Sequence, residues 1–131
     1  MTNQAIINLI TSMYMWFNQI ADPAIPFQKA DLEKYFTPTF IMQMNDKIIT
    51  QDYMSLFSHF EEFRSSGSLL KIVMPFQEFF ISEDKKKCVV RYNINKTTKD
   101  GKNHIIKVIA IWHISQDGRL NRMNEVVNFE N

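Results

Sequence analysis

KCVVRYNINKTTKDGKNHIIKVIAIWHISQDGRLNRMNEVVNF, residues 87–129, decides the fold. Three runs rich in β-branched and aromatic residues are separated by Lys99-Asp100-Gly101-Lys102 and Gln116-Asp117-Gly118-Arg119. Asp-Gly between such runs accommodates the positive φ values of a type I′ turn, so each tetrapeptide reads as a hairpin and the stretch as three antiparallel strands. If both turns are two-residue loops, the register follows. Across the second turn Trp112 faces Met123, Ala110 faces Glu125 and Val108 faces Val127. Across the first, Val89 faces Trp112, Arg91 faces Ala110 and Asn93 faces Val108.

Upstream, a strand from about Leu69 to Ser82 turns through Glu83-Asp84-Lys85-Lys86. It sets Phe80 opposite Val89, Glu78 opposite Arg91 and Phe76 opposite Asn93. Side chains alternate across a strand, so all these residues are expected on one face. One row of that face then reads Glu78, Arg91, Ala110, Glu125: two carboxylates and a guanidinium around the smallest side chain. The opposite face collects Val90, Tyr92, Ile109, Ile111 and Val126, and a sheet face that should be polar is instead apolar at its centre. An exposed apolar patch marks a partner surface, and the simplest partner is a second copy packed about a two-fold axis. A homodimer through these five residues is the expectation.

Ahead of the strands, Ile6, Leu9, Ile10, Met13, Tyr14, Trp16, Phe17 and Ile20 recur at helical spacing and predict an amphipathic helix over about 3–20, stopped at Asp22-Pro23. Asp31 is the candidate N-cap of a short helix, Leu32 to Phe36. Two short strands over 39–50 turn at Asn45-Asp46. Asp52 can cap a third helix, Tyr53 to Arg64, closed by Ser65-Ser66-Gly67-Ser68. The reading is a single α+β domain over residues 1–131, with three N-terminal helices on one face of a bent antiparallel sheet. It contains no internal repeat, linker or low-complexity segment.

Bulk properties exclude several classes. A formal net charge of +1 gives no electrostatic basis for binding nucleic acid or an anionic membrane. No apolar run approaches the ~18 residues of a membrane span, and Met1-Thr2-Asn3-Gln4 lacks the basic start of a signal peptide. The single cysteine, Cys88, excludes an internal disulfide, so the cytoplasm is the expected location. No His, Cys or acidic residues show metal-ligand spacing and no glycine-rich phosphate loop occurs, so neither metal nor cofactor is expected. Eleven Phe, eight Met, four Tyr and two Trp suit either an ordinary core or the lining of a pocket for a flat apolar ligand.

The first helix, "DLEKYFTPTF", the short hairpin before the third helix and "IKVIAIWHISQDGRLNRMNEVVNFEN" together resemble the nuclear-transport-factor-two-like superfamily, SnoaL-like branch. That resemblance implies a cystatin-like cone enclosing a pocket between sheet and helices, often dimeric through the outer sheet face. The superfamily includes ketosteroid isomerase, scytalone dehydratase, limonene epoxide hydrolase, polyketide cyclases and non-catalytic binding domains. Where the isomerase and cyclases place a catalytic aspartate this chain has Gln43, an amide that cannot take a proton at neutral pH. Where the epoxide hydrolase has an Arg-x-Asp strand and a final-strand aspartate, it has Arg91-Tyr92-Asn93 and Glu125, with Glu78 able to supply the second carboxylate. Tyr14 is similar to the position from which the isomerase donates to its substrate oxygen.

The candidate catalytic set is thus Glu125 as general base, held by Arg91, with Glu78 as second carboxylate. Tyr14, Gln43 and Asn93 orient the ligand, and Trp112, Met123 and Phe76 are candidate ligand contacts. The same three charges would also pair if they were only a buried structural network. Small-molecule binding is the expected function. The alternatives are a cofactor-free isomerase, dehydratase or hydrolase acting on a hydrophobic substrate, and a non-catalytic dimeric interaction domain.

Overall fold

The computed structural model describes residues 1–129. Asn3–Ile20 forms α1, begun by Thr2, whose hydroxyl oxygen accepts the Ala5 N–H. Its apolar stripe buries Ile6, Ile10, Met13, Tyr14 and Ile20. Helix α2 spans Lys29–Tyr35, earlier than Asp31 as a cap would place it. Gln28 is the N-cap and Asp31 lies inside the first turn, its Oδ2 reaching back to accept the Gln28 N–H at 3.0 Å. The pair β1 (Phe36–Met44) and β2 (Lys47–Thr50) turns at Asn45 and Asp46, whose φ values of 46° and 68° are the type I′ pattern. Helix α3 (Tyr53–Ser65) starts at Asp52, whose Oδ1 accepts the Ser55 N–H at 2.8 Å.

The remaining strands are β3 (Leu69–Ile72), β4 (Glu78–Ile81), β5 (Lys87–Thr97), β6 (Asn103–Ile114) and β7 (Leu120–Phe129). The single strand expected over 69–82 is two strands, both paired with β5, and the chain leaves the sheet between them. Sheet order is β2-β1-β7-β6-β5-β3, with β4 also on β5. All pairs are antiparallel except β1 with β7, so the sheet is mixed rather than wholly antiparallel. A parallel neighbour needs a long connection, and here residues 45–119 intervene.

Both Asp-Gly turns differ from the two-residue loop. Gly101 N–H bonds to the Thr98 carbonyl and Thr98 N–H to the Lys102 carbonyl, with Gly101 at φ 81°. This is a type I turn followed by a left-handed glycine, the three-residue hairpin. Ser115 to Arg119 repeats it, with Gly118 at φ 80°. In each, the aspartate Oδ1 accepts from the hydroxyl two residues earlier (Thr98, Ser115) and from the N–H two residues later (Lys102, Arg119).

The consequences are unequal. In the β6–β7 hairpin the pairing slips between Ile114↔Leu120 and His113↔Arg122, leaving Asn121 as an unopposed bulge residue. That slip restores Trp112↔Met123, Ala110↔Glu125 and Val108↔Val127 as expected. No such bulge follows the first turn. Cys88 therefore opposes Trp112, Val90 opposes Ala110 and Tyr92 opposes Val108. A one-residue shift exchanges the two faces of a strand. Cys88, Val90 and Tyr92 enter the core, at 1%, 0% and 3% exposure. Arg91 and, across β4, Glu78 move to the outer face, where Ile109, Ile111 and Val126 are exposed as expected. The core fills the space between the helices and the inner face, with Phe36, Phe40, Leu56, Val108 and Leu120 fully buried.

Candidate functional site

A cavity of about 240 Å³ lies between α1, α3 and the inner face of the sheet, with a predominantly apolar lining. Three strands and one helix converge at its inner end. Tyr14 comes from α1, Tyr92 from β5, Trp112 from β6, and Met123 and Glu125 from β7. Ala110, the cross-strand neighbour of Glu125, presents only a methyl group beside it.

The three aromatic groups form a chain. Trp112 Nε1–H donates to the Tyr14 hydroxyl oxygen at 3.0 Å, and the Tyr14 hydroxyl donates to that of Tyr92, also at 3.0 Å. Tyr14 and Tyr92 meet edge to face at 4.8 Å, Tyr14 and Trp112 at 5.8 Å, so ring packing sets the hydroxyl positions. The Tyr92 oxygen already accepts from Tyr14, which leaves its proton as the donor at the end of the chain. Burial, then each other's proximity, holds Tyr14 well above the usual phenol range. Burial and the nearby Glu125 do the same for Tyr92. Both are neutral donors at physiological pH.

Glu125 is 8% exposed, and its carboxyl makes no side-chain hydrogen bond or ion pair among the described residues. Burial pushes its pKa up to about 7. A carboxyl so placed exchanges a proton near neutrality, and among the described residues no cation neutralises it and no donor fixes it.

The Glu78–Arg91–Glu125 row is not assembled. Arg91 Nε and Nη2 bond Glu78 Oε1 at 2.8 and 2.7 Å on the far side of the sheet, with both side chains nearly half exposed. A pair so solvated contributes less than about 1 kcal/mol and has no route to the cavity. Gln43 also faces outward, accepting from Arg122 Nη2 at 2.6 Å, and Asn93 lines an outer groove with Lys107. Phe76 leaves the sheet and sets its ring against Tyr14 at 5.1 Å and Tyr92 at 6.0 Å, outside the cavity lining. Of the residues singled out, Tyr14, Trp112, Met123 and Glu125 meet at the cavity.

Tyr92, His59 and Lys96 also line it and were not among those candidates. The signal for Tyr92 was present: Cys88, Val90, Tyr92 and Ile94 alternate with Lys87, Val89, Arg91, Asn93 and Asn95, an apolar-in, polar-out pattern that outweighs an assumed turn length. His59 and Lys96 carry no such signal, because only the folded chain brings α3 beside the end of β5. Burial lowers the His59 pKa, so its imidazole is neutral at physiological pH. Among the described residues no three His, Cys, Asp or Glu side chains are grouped to hold a metal ion, and no helix is long and apolar enough to cross a membrane.

No protein-family model matches this sequence, and neither does any curated protein. Solved structures do match in fold. A putative SnoaL-like polyketide cyclase from Jannaschia aligns over 95% of this chain and 86% of its own, with a TM-score of 0.69 and 11% identity. SalBIII, described as an epoxide hydrolase/cyclase-like enzyme in pyran ring formation in the polyether salinomycin, aligns over 95% and 92%, with a TM-score of 0.74 and 11% identity. An NTF2-like protein of unknown function from Burkholderia pseudomallei aligns over 99% and 92%, with a TM-score of 0.72 and 13% identity.

Proposed function

We propose that this chain, whose fold is the nuclear-transport-factor-two-like cone, binds a small hydrophobic molecule in the cavity beneath its helices. The observation that carries the reading is Glu125, a buried carboxyl without a partner among the described residues, set beside the phenolic proton of Tyr92 at the end of an apolar cavity. Burying an unpaired acid costs stability, and a ligand oxygen or N–H is the missing partner. Flat apolar molecules carrying one carbonyl or hydroxyl group fit this chemistry.

A second reading is supported by the pKa of about 7 at Glu125. A base poised there can remove a proton from a carbon beside a carbonyl while Tyr92 hydrogen-bonds the carbonyl oxygen, then return it to another carbon. The net change is an isomerisation that needs no cofactor. The cyclase names among the fold neighbours suit the same substrate class, hydrophobic carbonyl compounds. Incubating wild type and Glu125→Gln with a panel of flat unsaturated ketones separates the readings. Turnover lost by at least about a hundredfold in the variant, with binding retained, establishes catalysis. Binding by both with turnover by neither leaves a binding protein, and binding by neither rejects the pocket.

The outer face supports a homodimer through Ile109, Ile111 and Val126, which are 45%, 37% and 63% exposed. Val90 and Tyr92, expected on that surface, are core residues and take no part. Ile109→Glu is expected to convert a dimer to a monomer in sedimentation velocity. A wild type that sediments as a monomer at every concentration rejects the proposal.

A further inference from the structure

The cavity has a charged end as well as a polar one. Lys96 lies on the inner face of β5, four residues beyond Tyr92, is half-buried and lines the cavity away from its Tyr92 end. At a strand rise of about 3.3 Å per residue, Lys96 and Tyr92 are roughly 13 Å apart along β5. The residues between and opposite them, Ile94, Ile106 and Val108, are apolar and also line the cavity. Lys96 forms no ion pair among the described residues. His59, on α3, also lines the cavity and is held neutral by burial, with Glu62 as its acidic neighbour. An ammonium group at one end of an apolar slot, with no carboxylate to meet among the described residues, is available to meet one on a ligand.

Building on the ligand-binding reading above, we propose that the ligand is an elongated apolar anion. Its flat body fills the slot, a carbonyl or hydroxyl oxygen at its inner end meets Glu125 and Tyr92, and a carboxylate at its outer end meets Lys96. The two ends discriminate differently. The inner end rewards a hydrogen-bonding oxygen within a dry cavity, where orientation is strict. The outer end rewards charge in a half-solvated position, so that its contribution is screened by salt. An apolar molecule of the right length lacking the anion enters but is held less tightly.

The test uses 4′-acetylbiphenyl-4-carboxylate and its methyl ester, two linked rings with a ketone at one end and an acid or neutral ester at the other. Titration calorimetry on wild type is expected to show the acid binding about tenfold more tightly than the ester, the scale of one charge-assisted hydrogen bond at a partly solvated site. High salt narrows that difference. In Lys96→Met, which keeps the apolar stem, the acid falls to the affinity of the ester while ester affinity is unchanged. Equal binding of acid and ester by wild type, or an acid preference that survives in Lys96→Met, overturns the anionic-ligand inference, and ester binding in that case leaves the pocket reading standing. If neither compound binds, both readings fall together.

Discussion

Glu125→Gln is expected to be more stable than wild type at pH values well above 7, and no more stable below 4.5. The Glu125 carboxyl ordinarily titrates at 4.5 and is pushed by burial to about 7 in the folded chain. Well below 4.5 it is protonated whether the chain is folded or not, and folding buries no charge. Between 4.5 and about 7 the unfolded chain loses the proton and the folded chain keeps it, so stability falls as pH rises. Above that range the folded chain carries a buried, unpaired charge. The difference in pKa, at 1.36 kcal/mol for each unit, amounts to roughly 3 kcal/mol. Glutamine has nearly the same shape and no charge to bury, so its unfolding free energy lacks this slope. Urea unfolding of both proteins across that pH range measures the effect. Parallel stability curves for wild type and variant would mean that the carboxyl is solvated or paired, and the site as drawn would fail with it.

The second large effect concerns the aromatic chain, where deleting one of two similar hydroxyls costs more than deleting the other. Tyr14 is the middle member. Its oxygen accepts from Trp112 and its proton goes to Tyr92. Tyr14→Phe therefore leaves a buried indole N–H without an acceptor and a buried phenol oxygen without its donor, an expected loss of about 2–4 kcal/mol. Tyr92→Phe removes only the acceptor of the Tyr14 proton and leaves the Trp112 bond intact, an expected loss of about 1–2 kcal/mol. Burial does not separate the two, since each is 3% exposed. Equal destabilisation in urea would show that the hydroxyls are not linked in this order.

The helices and turns show what a local pattern can specify. The periodicity of residues 3–20 gives α1 with its observed ends, and Asp52 begins α3 as its side-chain chemistry predicts. At Asp31 the same chemistry misleads, because a carboxylate can accept from its own N3 position as readily as from the cap. Asp-Gly likewise identifies a hairpin without fixing its length. The information that fixes it is one position further out, in the hydroxyl of Thr98 and Ser115 two residues before each aspartate. Two turns of the same three-residue type then have opposite outcomes for register, because one is followed by a bulge at Asn121 and the other is not.

The helices with the faces they bury, and the apolar-in, polar-out alternation of β5 that buries Tyr92, were determined by the sequence alone, since each rests on periodicity or capping within a few residues. Which face Met123 and Glu125 occupy was decided by the tertiary structure, through the bulge at Asn121. So was the meeting of Tyr14, Trp112 and Glu125 at one cavity end, and the parallel pairing of β1 with β7. The physical reason is that side-chain direction on a strand reverses with every residue, so a single-residue difference in a loop or bulge carries through the whole strand. In β7 the bulge selects between the alternatives, and in β5 the packing of Tyr92 against Tyr14 of α1 agrees with the alternation and leaves the Arg91–Glu78 pair in water.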